Sequence, residues 1–235
     1  MAAAGITSRR KAEILIQEGR VTINGLAAKT GARVDPYTDT IEVDGRLVPP
    51  PSIRKTCYLL NKPKGVISSL HDPEGRLLVT DFIGAKKRVF PVGRLDFDAE
   101  GVLLLTDDGD LANRLIHPRY SVAKKYLVKV RNVPEEKTLE RLRSGVHIEG
   151  GRTRPARVKF IRKTEANAWL EITVREGRNR LIKNMCMAVG HPVTKLKRLE
   201  FAGLGLGGLA PGAYRKLTEH EVERLKKLGG EGKRV

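Results

Sequence analysis

Between Pro91 and Asp110 the chain reads Pro-Val-Gly-Arg-Leu-Asp-Phe-Asp-Ala-Glu-Gly-Val-Leu-Leu-Leu-Thr-Asp-Asp-Gly-Asp. The first half, bounded by Gly93 and Gly101, is polar and turn-like, and it runs straight into an unbroken apolar stretch from Val102 to Leu105 that fits a buried strand. A charged loop therefore feeds directly into a core. Because the loop carries Arg94, Asp96, Asp98 and Glu100, at least one carboxylate is expected near the mouth of whatever pocket the strand end helps to build. Two readings are open on spacing alone. A carboxylate held against a low-dielectric wall beside an arginine is a catalytic group, whereas acids in a loop before a strand also occur as solvated surface.

The quartet Gly93-Arg94-Leu95-Asp96, followed by Glu100-Gly101, Leu103-Leu104-Leu105-Thr106 and Gly109-Asp110, resembles the signature of the pseudouridine synthases that modify ribosomal RNA, in the RsuA/RluB branch. The resemblance implies that Asp96 is the catalytic residue, and overall similarity leans to the large-subunit side of the branch. It also implies an α+β fold: a small N-terminal αL RNA-binding domain, then a pseudouridine synthase catalytic domain with a mixed, mainly antiparallel central sheet flanked by helices.

Charge supports a polyanionic partner independently of any motif. The chain has 235 residues, with 45 lysines and arginines against 27 acids, a formal net charge of +18. Such an excess favours nucleic acid. No apolar run approaches the roughly 18 residues that span a bilayer, and no signal-peptide pattern is found, so a cytoplasmic protein without membrane contact is expected. The two cysteines, Cys57 and Cys186, lie far apart in sequence without partners at metal-ligand spacing, so neither a disulfide framework nor a metal site is expected. Both are expected to be buried thiols.

Residues 1–48 read as a compact helix-then-hairpin module. Ser8 fits a helix N-cap, Ala12, Leu15 and Ile16 share a helical face, and Arg9, Arg10 and Lys11 crowd the helix start. After Gly19 a strand runs to the turn Asn24-Gly25, and a second strand to Asp44-Gly45. The module resembles the αL RNA-binding domain also carried by a small-subunit ribosomal protein, on Ser8 to Ala12 and Gly19 to Gly25. Arg9, Arg10, Lys11 and Arg20 are then phosphate contacts; a solvated helix face is the other reading. Pro49-Pro50-Pro51 cannot donate backbone hydrogen bonds and reads as a stiff linker over 49–55, with the catalytic domain over 56–235.

In that second part, Cys57 to Asn61 is a strand leading into Lys62-Pro63-Lys64-Gly65, a turn whose basic tips Lys62 and Lys64 are expected to face solvent or phosphate. Its Asn-Lys-Pro-x-Gly pattern also matches the synthase family. Asp110 to Ile116 suggests a short helix ended by His117-Pro118. Tyr126, Val128 and Val130 alternate onto one strand face, which turns Tyr126 inward. An ordinary core tyrosine has that pattern too; the resemblance places a tyrosine in this Lys-x-Tyr context against the uracil ring. A helix start follows at Lys137 to Leu142, and a hairpin over Gly145 to Gly151. Six of the twelve residues from Arg152 to Lys163 are basic, several at alternate positions, giving either a solvated edge or one suited to an RNA backbone.

Trp169 to Arg175 alternates as a strand, and the segment after Glu176 becomes a helix with Leu181, Ile182, Met185 and Val189 on its apolar side. Arg178, Arg180 and Lys183 load the start of that helix. Cations at a helix N-terminus oppose its dipole, so their clustering implies an anion nearby. Gly177-Arg178-Asn179-Arg180 resembles the core of the third synthase motif, while Leu181, Lys183 and Asn184 depart from its usual glutamine and arginines, and Ala99 stands where relatives often carry serine or threonine. Arg178 is expected to pair with Asp96, and Arg180 and Lys183 to contact RNA. Five glycines between Gly203 and Gly212 suggest tight strand turns, and Thr218 caps a last helix ending near Gly229-Gly230.

The reaction implied by the resemblance is an isomerisation: the uracil is detached from the sugar, turned, and rejoined through carbon. Nothing leaves the substrate, so no cofactor or metal is expected. The partner is ribosomal RNA or a pre-ribosomal particle, the target uridine must be swung out of its stack, Arg94 resembles the family residue that fills the vacated space, and a monomer is expected. Rival readings are a small-subunit ribosomal RNA synthase, a non-catalytic RNA-binding assembly factor on the same scaffold, and a DNA-binding protein, the last weakened because no recognition-helix pairing stands out.

Overall fold

The computed structural model describes residues 1–84 and 88–228 and divides into two compact units, the first formed chiefly by Met1–Thr56 and the second by most of the chain from Cys57 on. The tail beyond 228, where the last helix was expected to end, lies outside the described residues.

In the first unit, helix α1 (Arg9–Gln17) is capped by Ser8, whose hydroxyl accepts from the Lys11 backbone N–H at 3.2 Å. It buries Ala12 and Leu15. Strands β1 (Val21–Ile23) and β2 (Leu26–Ala27) form one hairpin, β3 (Ile41–Val43) and β4 (Arg46–Leu47) another, in the order β2-β1-β3-β4. Both turns use Asx-Gly pairs with positive φ at each residue: 51° and 80° at Asn24-Gly25, 50° and 71° at Asp44-Gly45. Such pairs match the twist of a two-residue hairpin. Leu15, Val21 and Ile41 make a small core. From 48 to 56 the chain has no regular structure.

The second unit is built on a nine-stranded sheet. Its strands are β5 (Cys57–Lys62), β6 (Phe90–Pro91), β7 (Glu100–Thr106), β8 (Lys124–Arg131), β11 (Arg157–Lys163), β12 (Asn167–Val174), β13 (Val193–Phe201), β14 (Leu204–Gly205) and β15 (Tyr214–Lys216), while β9 (His147–Ile148) and β10 (Gly151–Arg152) form a separate hairpin. The order is β11-β12-β8-β13-β7-β5-β15, with β14 on β13 and β6 on β7. The β13–β7 contact is parallel and the others are antiparallel. The sheet is thus mixed and mainly antiparallel, as expected. Helices α2 (Gly109–Ile116), α3 (Glu136–Ser144), α4 (Leu181–Ala188) and α5 (Glu219–Lys227) complete the unit.

Strand β7 is the axis of this unit. Every residue from Gly101 to Thr106 is buried, which its apolar run requires of a strand covered on both faces. Leu59, Val102 and Leu104 join Leu111 and Leu115 of α2, Phe201 of β13 and Leu225 of α5 in one core cluster. The parallel approach of β7 to β13 depends on Gly101: its φ is 109°, and a Cβ there would lie 2.2 Å from the Arg198 carbonyl oxygen. No other residue fits that position. Strand β8 alternates as its sequence predicts, burying Tyr126, Val128 and Val130.

Candidate active site

The loop from Gly93 to Ala99 enters β7, and its backbone is pinned at the carbonyls of Leu95, Asp96, Phe97 and Ala99. Ser68 Oγ donates to the Leu95 oxygen at 2.8 Å and accepts the Leu95 N–H at 3.2 Å. Gly65 N–H donates to the Phe97 oxygen at 2.8 Å. The Lys62 ammonium donates to the carbonyls of Pro63 at 3.0 Å, Asp96 at 3.1 Å and Ala99 at 2.8 Å. A loop tied at this many points holds the Asp96 side chain in a fixed orientation, the requirement for a preorganised site.

Lys62 is therefore a correction to the sequence reading. Expected at a solvent-facing tip for RNA, it is fully buried at the end of β5, with its pKa pushed down to about 8 chiefly by burial. The physical reason is that three backbone oxygens converge where the strand ends, and only a long side chain with several N–H donors reaches them. Lys64, two residues on, is exposed as expected.

The Asp96 loop forms one wall of a cavity of about 140 Å³. Arg94, Asp96, Tyr126, Arg178 and Arg180, five of the residues singled out from sequence, line it together with the apolar side chains of Leu181, Ile182, Val174, Leu196 and Phe201. Strand β8 delivers Tyr126, 8% exposed, the Asp96 loop delivers Arg94, and the α4 entry delivers Arg178 and Arg180. A cavity with an apolar and aromatic wall on one side and the Asp96 carboxylate and several cations on the other suits a planar ring joined to a polar group.

The expected pairing of Arg178 with Asp96 does not form. Asp96 Oδ2 lies 3.0 Å from the Lys183 ammonium instead, and Asp98 Oδ1 lies 2.6 Å from the same ammonium. Lys183 sits in the first turn of α4, so its side chain turns toward the loop, whereas Arg178 precedes the helix and is used elsewhere. Its guanidinium donates to the carbonyls of Gly150, Gly151 and Arg152 at 2.8–3.2 Å and pairs with Glu176 at 3.0 Å. Buried Glu176 also accepts the Arg154 N–H at 2.8 Å, so Arg178 and Glu176 fasten the β9–β10 hairpin beside the cavity. Of the cations at the start of α4, Lys183 thus finds its anions in Asp96 and Asp98 and Arg178 in Glu176, and the hydrogen bond from Lys183 holds the Asp98 carboxyl below its ordinary pKa.

Other expected RNA contacts divide in two. Arg94 and Arg180 are exposed at the cavity rim, and Arg9, Arg10 and Lys11 are exposed at the start of α1. Arg20 is committed within its own unit, with both Nε and Nη2 donating to Asp44 at 2.7 Å and Nη1 to Glu18 at 3.1 Å. Lys183 belongs to the carboxylate cluster. Among the departures from the family pattern, Ala99 is fully buried, Leu181 is a buried cavity wall, and the Asn184 amide donates to the Asn179 carbonyl at 3.4 Å. Sequence reasoning missed Ser68, Glu176 and Arg198 in this neighbourhood. The available signal was Glu176 itself, a carboxylate two positions before Arg178 that already offered it a partner.

Among the described residues, no helix is long and apolar enough to cross a membrane.

The family model for RNA pseudouridylate synthase matches residues 56–188, which include the loop, Tyr126, Arg178 and Lys183. A Bacillus subtilis protein named ribosomal large subunit pseudouridine synthase B is 45% identical, over 99% of this chain and 96% of its own length. An Aquifex aeolicus protein named as an uncharacterized RNA pseudouridine synthase is 44% identical, over 97% of this chain and 92% of its own. Among solved structures, a crystal structure of a pseudouridylate synthase superposes with a TM-score of 0.67 at 29% identity, covering 95% of this chain and 96% of that one. With the family model spanning more than half of the chain and relatives aligned along nearly all of it, the chain belongs to the RNA pseudouridylate synthase family and is an isomerase of the RsuA/RluB type.

Proposed function

We propose that this enzyme isomerises a specific uridine of large-subunit ribosomal RNA, with Asp96 as the catalytic carboxylate. The observation that carries the reading is the Asp96 carboxylate, fixed 3.0 Å from Lys183 on a cavity wall shared with Tyr126. The ribosomal substrate is supported by the name of the Bacillus relative, and the large excess of positive charge agrees with a polyanionic partner.

Each residue has a task in this reading. Asp96 acts on the sugar as nucleophile or base, and Lys183 supplies the positive charge that lets a carboxylate stand in a partly enclosed site. Tyr126 lies against the uracil ring, a contact of about 1–3 kcal/mol by analogy with base–aromatic stacking. Swinging the nucleotide out of its helix costs a few kcal/mol, roughly; Arg94, at the rim two residues before Asp96, fills the space it leaves. Arg178 acts as a positioning residue, holding the hairpin that edges the pocket. Residues 1–48 serve as an RNA-binding domain, with Arg9, Arg10 and Lys11 on phosphates, 49–55 as a linker and 56–235 as the catalytic domain. Lys64 and Arg180 add phosphate contacts near the site.

Pseudouridine mapping in ribosomal RNA from cells with and without the gene tests the reading. The expected result is the loss of a modification in large-subunit RNA and its restoration by the purified enzyme. Unchanged maps of both subunits contradict the activity, and a loss confined to the small subunit contradicts the substrate.

A further inference from the structure

The cavity holds two cations to which the roles above give no task. Arg198 on β13 stands opposite Tyr126 of β8 in the sheet register, so the two side chains leave the sheet on the same face. It is 2% exposed. Its Nε donates to the Val102 carbonyl at 2.7 Å, and its guanidinium carbon lies 4.8 Å from the centroid of the Phe201 ring. Nη2 is buried with no hydrogen-bond partner. A guanidinium does not shed its proton in a protein, so an orphaned N–H on a buried one is a standing cost that a ligand can remove.

Lys124 stands two residues before Tyr126 on the same strand face, with its ammonium 5.6 Å from the centroid of that Phe201 ring. Burial, and secondly the charge of Arg198, push its pKa down to about 8, against the pull of Glu176. Neither cation forms a salt bridge among the described residues; Glu176 is engaged by Arg178 and by the Arg154 N–H. A buried guanidinium and a half-buried ammonium side by side, with no anion between them, imply that the ligand brings an electron-rich oxygen to them. Beside these two cations the lining includes a cluster of apolar side chains, Val174, Leu181, Ile182, Leu196 and Phe201, which with Tyr126 offers surface to a flat ring.

We propose that Arg198, assisted by Lys124, binds a carbonyl oxygen of the uracil and stabilises the negative charge that the ring carries while it is detached from the sugar. This inference rests on the isomerisation reading. When the bond between N1 and C1′ breaks, its electron pair remains with the uracil and spreads over N1 and the two carbonyl oxygens. After the ring turns, C5 forms the new bond to C1′, the C5 proton is lost and N1 takes up a proton, so the atoms balance. The charge on oxygen is greatest while the ring is free, and a fixed cation there lowers the barrier more than it favours the neutral substrate. Arg198 is thereby a catalytic residue, and Tyr126 and Arg198 share the ring as face and edge contacts.

Single-turnover rates on RNA carrying either uridine or 5-fluorouridine at the target position test this, read as disappearance of the N-linked nucleoside after digestion. Fluorine makes the detached ring a more stable anion, so it relieves a defect in stabilising that anion and leaves a packing defect untouched. The expected result is that Arg198→Met slows uridine conversion by about 100-fold, with the deficit at least tenfold smaller on 5-fluorouridine, and that Arg198→Lys falls between Arg198→Met and wild type. Lys124→Met, which leaves the β13 residues intact, is expected to show the same substrate-dependent deficit at smaller size and carries the test should Arg198→Met fail to fold. Equal deficits on both substrates, or wild-type rates in the variants, overturn the inference while wild-type conversion keeps the isomerisation reading intact; a wild-type enzyme that converts neither substrate overturns both.

Discussion

Asp96 is held by a lysine, not by the arginine that sequence spacing favours, and the reason lies in where α4 begins. A side chain in the first helical turn projects back along the helix toward the loop, and Lys183 occupies that place while Arg178 is spent on three carbonyls and Glu176. Lys62 was misread for a different reason. A lysine is ordinarily a surface residue, yet this one ends a strand whose Leu59, Leu60 and Asn61 are all buried, and it continues inward. Replacing it by methionine removes the donor from three backbone oxygens, and an unfolding free energy lower by about 1–3 kcal/mol is expected in denaturant titrations at pH 7. The pH dependence has a definite sign. Because the folded-state pKa of Lys62 is near 8 and the ordinary value is 10.5, the unfolded chain binds the extra proton between those values. Linkage therefore adds to the stability attributable to Lys62 as pH rises from 8 to 10.5, an increment that is absent below 8, so the gap between wild type and Lys62→Met is expected to widen over that window. An equally stable methionine variant, or a gap that narrows, would sink this account of the loop.

At the level of elements, the helices and hairpins that announce themselves locally were readable. Ser8 and Thr218 mark helix starts, Asn24-Gly25 and Asp44-Gly45 mark hairpins, and the alternation from Tyr126 to Val130 turns the tyrosine inward. Strand order was not readable, because pairing β13 parallel to β7 joins segments about a hundred residues apart and depends on Gly101 admitting the Arg198 backbone. Arg198 itself carried no signal, since nothing near it in sequence shows that β7 and β8 flank it. Of the basic segment between Arg152 and Lys163, Arg152 ends β10 and the part from Arg157 is strand β11, the sheet's edge, with Arg157, Lys159, Arg162 and Lys163 exposed beside Phe160 and Ile161. Replacing these four cations by glutamine separates an RNA-binding edge from a solvated one. If they meet phosphates, affinity falls and the slope of log K against log salt becomes shallower by about 0.7–0.9 per lost contact. An unchanged slope assigns the edge to solvent.

For the molecule as a whole, the sequence conveyed the charge excess, the family and the loop that bears the acid, whereas the arrangement of cations around that acid required coordinates. Of the cations behind the +18 formal charge, a small part is turned inward, with Lys183 on Asp96 and Lys124 and Arg198 along the cavity, and the proposed reading gives the chemistry to these. Exposed lysines and arginines remain available for binding RNA, so chemistry and affinity are expected to be separable by substitution. Asp96→Asn is nearly isosteric and keeps the loop's backbone contacts, so its effect reads the carboxylate alone. The most direct measurement is the single-turnover conversion of uridine in a large-subunit ribosomal RNA fragment by wild type and Asp96→Asn at saturating enzyme. A rate lower by at least about 10²-fold, with RNA affinity retained, is the expected result; equal rates in the two proteins would contradict the assignment of the chemistry to Asp96.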